Sequence, residues 1–286
     1  MRSQPSLWRL TAQLATDVGV QLPAEGQRVC VVGCGTSFFM GQAFAAYRER
    51  KCGYETDAFP ASEAPLQRKY DLVIALSRSG TTTEVLEAVR EVRQGSGTQV
   101  LAVTAVSGSP LVELASRSVV LGFADEGAVV QTRFATCALL LLLLSCGWDA
   151  GASAARAEQI LDEGAPEEIG GTRQFVFLGR GLAAGVANEA ALKLRESAGA
   201  WSEAYPSMEF RHGPVAAAGG GTLVWSMDAI DPALTAEARA TGARVLSGGD
   251  PLSELVRVHL AAERLAAAAG LDPDAPPHLS RSVVLS

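Results

Sequence analysis

Strand and helix patterns that alternate along the chain, then start again past its midpoint, predict an α/β protein of two halves. Each half is expected to be a parallel sheet covered by helices on both faces. Three observations carry this. VCVVGCGTSFFMGQAF (residues 29–44) and FVFLGRGLAAGVANEA (residues 175–190) share one order of strand, Gly-x-Gly and helix, as an internal duplication would give. DLVIAL at residues 71–76 runs apolar without alternation, as a strand buried on both faces does. Hydrophobic residues make up 48% and charged residues 19% of 286 positions, which supports a large core and argues against disorder. The first half is placed at 1–150 and the second at 151–286.

In chain order, Ser6 to Val18 has Leu7, Leu10 and Leu14 at helical spacing. Arg28 to Val32 is a strand that stops at Gly33-Cys34-Gly35-Thr36-Ser37, and Phe38 to Arg50 is a helix. Thr56 to Phe59 and Asp71 to Leu76 are strands, the latter stopping at Ser77-Arg78-Ser79-Gly80, and Thr81 to Val92 is a helix. Strand 99–104, a short helix at 110–116 and strand 118–122 follow. Gln131 to Cys146 is a long helix holding the leucine run Leu139 to Leu144, which is far short of the ~20 residues of a membrane span and reads as a core helix. Gly151 to Gly171 has no strand signal and reads as a helical linker. Strands at 174–178, 222–225 and 243–246, a helix at 252–269 and a proline-rich tail complete the chain. The second half is shorter than the first.

Composition removes several functions. The net charge of -7 without a Lys/Arg run disfavours nucleic acid and anionic membranes as partners. The five cysteines show neither CxxC nor metal-ligand spacing, and without a signal pattern they read as reduced thiols of a cytoplasmic protein. Neither GCGTSF nor GRGLAA completes a dinucleotide GxGxxG.

Two stretches carry chemistry. The first is the pair of loops 33–37 and 77–82, small, hydroxyl-rich and placed where strands end and helices begin. Ligands of open parallel sheets sit there, and helix N-termini favour anions. Either loop alone would be ordinary N-capping; two on one sheet point to phosphate. The second is EAALKLRESAGAWSEAYPSMEFRHGP (residues 189–214), which concentrates Lys193, Arg195, Glu196, Glu203, Glu209, Arg211 and His212 in an alanine-rich half. Glu189 and Lys193 form an i,i+4 pair, and Lys193 and Glu196 share a helix face. The helical pattern fails at Gly199, Tyr205 and Pro206, and a polar segment leads to His212. A carboxylate and an imidazole held near one substrate suit proton transfer.

EAALKLRE, SEAYPSMEFRHGP, GCGTS and SRSGTTTE together resemble the isomerase domain of glucosamine-6-phosphate synthases, within the wider SIS (sugar isomerase) family. The resemblance implies two SIS-type αβα sandwich halves, flavodoxin-like or Rossmann-like. It also implies an aldose–ketose isomerase, or an amino sugar phosphate deaminase, acting on a hexose or 2-amino-hexose 6-phosphate. Glu196 matches the enolisation base, His212 the ring-opening residue and Lys193 a lysine of the same site. The loops match the phosphate site through Cys34, Gly35, Thr36 and Ser37, and through Ser77, Arg78, Ser79 and Thr82. Arg78 replaces a family Gln, and Thr81 a family Glu. VVQTRFAT resembles a further element and makes Thr132 and Arg133 candidates to line the pocket.

The tail LDPDAPPHLSRSVVLS resembles a closing segment whose lysine forms a Schiff base in the family; Arg281 stands there. A guanidinium stays protonated and is a poor nucleophile, so Arg281 is expected to act as a cation near substrate oxygens. The chain has no Cys after Met1 and no room for a glutaminase domain, so a full synthase is not expected. No metal or other cofactor is called for. The resemblance also implies a homodimer in which His212 reaches the partner's site. His259, on an alanine-rich helix, reads as a surface or interfacial residue, and His278 lies in the tail. The competing reading is a non-catalytic sugar-phosphate sensor, marked by the loss of the tail lysine.

Overall fold

The computed structural model describes residues 1–95 and 97–285, which divide into two units. Ser3–Gly151 and the tail from His278 form one; Ala152–Pro277 with Met1–Arg2 form the other.

In the first unit, β1 (Val29–Gly33), β2 (Thr56–Pro60), β3 (Leu72–Leu76), β4 (Gln99–Thr104) and β5 (Arg117–Val120) form a parallel sheet in the order β2-β1-β3-β4-β5. Val29 pairs with Thr56 on one side and Leu72 on the other, so β1 and β3 are neighbours although β2 lies between them in the chain. Every residue of β1 and β3 is buried, as their unbroken apolar runs require. The helices are α1 (Gln4–Asp17), α2 (Thr36–Cys52), α3 (Thr83–Gly95), α4 (Pro110–Leu114) and α5 (Arg133–Leu144). Val85, Val89 and Val92 of α3 cluster with Val73, Ala75, Val100 and Ala102 of the sheet. α5 packs with α1 and α2 and buries Leu139 to Leu143 completely, so the leucine run is core. Among the described residues no helix is long and apolar enough to cross a membrane.

The second unit repeats the plan with one strand fewer. α6 (Ala150–Glu163) leads to β6 (Gln174–Gly179), α7 (Leu182–Ala198), β7 (Ser202–Pro206), β8 (Thr222–Ser226), α8 (Pro232–Ala240), β9 (Arg244–Ser247) and α9 (Pro251–Ala269). Its parallel sheet runs β7-β6-β8-β9, the first sheet's order without the fifth strand. α7 and α9 pack together. β7 falls where the sequence reads as polar loop. It is an edge strand, partly exposed, and Pro206 at its end is tolerated there. The sequence reading also passed over α8, which Asp231 caps by accepting from the Ala233 and Leu234 N–H groups, with Pro232 in the first turn.

The duplication reaches the backbone. Gly35, before α2, has φ 52 and ψ -123; Gly181, before α7, has φ 55 and ψ -121. Residues with a Cβ avoid that region. Two residues earlier, a Cβ on Gly33 would lie 2.8 Å from the Ser37 backbone, and one on Gly179 would lie 2.2 Å from that of Ala183. Both Gly-x-Gly turns therefore exist to let a helix start directly against its strand.

Candidate active site

The first unit builds a cradle at the carboxyl ends of β1 and β3. The chain leaves β1 toward β2 on one side and returns to β3 on the other, and ligands of such sheets bind at that switch point. A cavity of about 30 Å³ lies there, lined by Cys34, Ser37, Leu76, Ser77, Arg78, Ser79, Thr82, Gln131 and Arg281. Ser77 Oγ accepts from the Gly80 N–H at 3.1 Å and lies 3.2 Å from Thr82 Oγ1. Ser79 Oγ accepts from Thr81 Oγ1 at 2.9 Å. Arg78 is 2% exposed; its guanidinium donates to the carbonyls of Ala128, Val129 and Arg281 at 2.7, 3.2 and 3.1 Å. A fixed cation and several hydroxyls thus face one small cavity. Cys34 lines it too, but burial pushes its thiol up to about 11, which favours the neutral form of a packing residue.

The tail closes this cradle. Ser282 Oγ accepts from Ser79 Oγ at 3.0 Å and lies 2.9 Å from Thr81 Oγ1. The Thr83 N–H donates to the Val283 carbonyl, and the Leu285 N–H to Thr83 Oγ1. Arg281 pairs with Asp125 at 2.5 Å. Thr81 therefore spends its hydroxyl on Ser79 and the tail.

Thr132 and Arg133 are taken up by a different task. Glu126, 6% exposed, accepts from the N–H groups of Thr132, Arg133 and Phe134 and from Thr132 Oγ1, capping α5. Arg133 also pairs with it at 3.8 Å. Their neighbour Gln131 lines the cavity instead, with Oε1 buried and without a hydrogen-bond partner among the described residues.

In the second unit, α7 turns Glu189, Lys193 and Glu196 to one side. Lys193 Nζ lies 3.4 Å from Glu189 Oε1 and 2.5 Å from Glu196 Oε2. Glu189 and Lys193 are buried, whereas the Glu196 side chain is 20% exposed. Burial works against the Lys193 charge, but Glu189 and Glu196 together hold its ammonium above the ordinary lysine range. Glu196 is therefore the member of the trio that can meet a substrate, held in place by a charged lysine. His212 ends the 3₁₀ turn Glu209–His212, exposed and without a hydrogen-bond or ion-pair partner among the described residues. Arg211 anchors that turn through Glu237 at 2.6 Å and Asp231 at 3.5 Å.

His259 corrects the sequence reading. It is 2% exposed inside the packing of α9, where burial, and then the Lys193 charge, push its imidazole well below the ordinary range and keep it neutral. The alanines around it had suggested a surface or interfacial helix, but they mark close packing. Among the described residues, no group of three or more His, Cys, Asp or Glu side chains is placed to hold a metal ion.

Residues 24–145 match the model of the SIS domain. The chain is 32% identical to the glutamine–fructose-6-phosphate aminotransferase (isomerizing) of Aeropyrum pernix, an alignment covering 92% of the chain and 52% of that relative. It thus spans about half the length of the curated relatives it matches. The crystal structure of glucosamine-6-phosphate deaminase from Thermotoga maritima superposes with a TM-score of 0.85 at 27% identity, over 99% of this chain and 97% of that one. Tagatose-6-phosphate ketose/aldose isomerase from Escherichia coli shares the fold, with a TM-score of 0.82 at 19% identity over 99% and 94% of the two chains.

Proposed function

We propose that this chain, which belongs to the SIS family of phosphosugar isomerases, acts on a hexose 6-phosphate or 2-amino-hexose 6-phosphate by moving a proton between its first two carbons. The observation that carries the reading is the cradle at the β1/β3 switch point. There Ser37, Ser77, Ser79 and Thr82 surround a cavity beside the buried Arg78 guanidinium. Hydroxyl donors, a fixed cation and the start of α2 suit the phosphate of a sugar phosphate.

The chemistry is assigned to the second unit. His212 carries the proton exchanged when the sugar ring opens. Glu196, aimed by the Lys193 ammonium, takes the proton from C2 and returns it to C1 of the enediol or enolamine. With a hydroxyl on C2 the product is the ketose. With an amine on C2 the product is a C2 imine, which water hydrolyses to the ketose and ammonia. Arg281 supports these outcomes over amine transfer through the tail, because a guanidinium tied to Asp125 does not form an imine. The exposed, unpartnered His212 is consistent with a homodimer in which it serves the partner's substrate.

The test is ammonia release and ketose formation across a panel of hexose and 2-amino-hexose 6-phosphates, with exchange of the C2 proton followed in deuterium oxide. Turnover of one member with exchange is the expected result. Tight binding of a member with neither product nor exchange would instead favour the sensor reading that Arg281 also permits.

A further inference from the structure

We propose that Cys52 and Cys146 form a thiol-modification site, a dithiol that closes to a disulfide by exchange with a small disulfide such as glutathione disulfide. The two residues come from distant parts of the chain. Cys52 is the last residue of α2, and Cys146 lies in the turn that follows α5. Both thiols line one cleft, and α2 and α5 pack together; each acts electrostatically on the same two neighbours, Tyr47 and Arg48. The other three thiols lie apart from this pair. Cys30 and Cys137 are buried, and Cys34 belongs to the cradle turn. Burial pushes Cys30, Cys34 and Cys137 up to about 12, 11 and 12.

Access comes from a cleft of about 460 Å³ that opens to solvent and is lined by both cysteines, Arg48, Lys51, Tyr54 and Glu25. It is large enough for part of a tripeptide. Lys51 is exposed at its edge, and Arg48 brings a second cation, held by the Ala24 carbonyl at 2.9 Å and Thr56 Oγ1 at 2.8 Å. Glutathione disulfide is an anion, so these charges favour its approach.

The order of events follows from exposure. Cys52 is half-buried, whereas Cys146 is 8% exposed, and burial pushes its thiol up to about 11. Cys52 as thiolate attacks one sulfur of glutathione disulfide, forming a mixed disulfide and releasing one glutathione thiolate. The Cys146 sulfur, giving up its proton, then attacks Cys52 Sγ and releases the second glutathione thiolate. Two protein thiols are oxidised, one small disulfide is reduced to two thiols, and the two protons pass to them.

The bond would join the far ends of two helices that begin beside the cradle. α2 opens with Thr36 and Ser37, and α5 follows Gln131. With 17 residues, α2 carries the link about 25 Å from the phosphate site.

The test incubates the whole folded protein with oxidised and reduced glutathione at graded ratios, quenches exchange with acid, unfolds the protein in denaturant, blocks free thiols with an alkylating agent and maps peptides by mass spectrometry. Alkylatable thiols should fall from five to three, with one cross-linked peptide joining Cys52 to Cys146. Cys146→Ser should trap glutathione on Cys52, while Cys52→Ser should leave Cys146 free. The proposal fails if the folded parent protein keeps all five thiols, stops at a mixed disulfide, or joins another pair. The parent measurement decides this even if a variant does not fold.

Discussion

The turn after β1 and the turn after β6 have the same backbone and opposite partners. Gly35 and Gly181 adopt nearly identical torsions, and each hands a strand directly to a helix whose first N–H groups face the sheet's carboxyl edge. After Gly35 come Thr36 and Ser37, and the loop after β3 adds Ser77, Ser79 and Thr82 around a cavity. After Gly181 come Leu182 and Ala183. There the loop after β8 supplies Asp228, whose carboxylate accepts from the Arg180 N–H at 3.3 Å and from Ser226 Oγ at 3.0 Å. A helix start favours a negative charge in either case. The second unit provides one from its own chain, and the first surrounds the equivalent place with hydroxyls suited to a ligand. The turn is thus repeated in both halves, and on the function proposed above the halves divide the work, with anchoring in the first and proton transfer in the second.

That division is broken most sharply at Glu196. Glu196→Gln keeps the shape of the side chain and leaves Lys193 its other partner, Glu189. Turnover is expected to fall ~10²–10⁴-fold, with the dissociation constant of a sugar phosphate unchanged in calorimetry. A variant as active as the parent would remove Glu196 from the chemistry.

A smaller effect is expected at the anchoring turn. Ser79→Ala deletes a hydroxyl of the cradle, and a hydrogen bond to a charged group contributes about 1.5–3 kcal/mol. Sugar-phosphate binding should weaken roughly tenfold to hundredfold by calorimetry. Ser226→Ala, beside the second unit's corresponding turn, should leave it unchanged. Equal weakening in both variants would mean that the two turns do not differ in role.

The contrast between the halves also explains what could be read in advance. β1, β3 and β6 are buried on both faces, so their apolar runs and the glycines after them were plain in the sequence. The hydroxyl loops were legible for the same reason, since they directly follow such strands. β7 was not, because an edge strand of SEAYP lacks an apolar pattern and its pairing with β6 is long-range information. Glu126 stands six residues before the Thr132 it caps, too far for a local capping signal. Asp228 is 48 residues from the Arg180 N–H it faces. The tail belongs by chain order to the second half, yet its hydrogen bonds go to Arg78, Ser79, Thr81 and Thr83 of the first.

The smallest expected effect concerns Asp228 itself. Burial raises its carboxyl above the ordinary aspartate range, and the hydrogen bonds from Ser226 and Arg180 offset this only in part. Because the folded value lies above the unfolded one, its contribution to stability is fully present below the unfolded value and is lost as pH rises through the folded value. At neutral pH the carboxylate is therefore ionised at a net cost, despite its place beside a helix start. Asp228→Asn keeps an acceptor for the Arg180 N–H and removes the titration. Its melting temperature should match the parent's at a pH below the unfolded aspartate value of ~3.9 and exceed it by about 1 °C at neutral pH, the shift expected from roughly half a kcal/mol in a chain of this size. A variant less stable than the parent at neutral pH would show that the negative charge itself holds the turn. The second unit would then need its anion as much as the first needs its ligand.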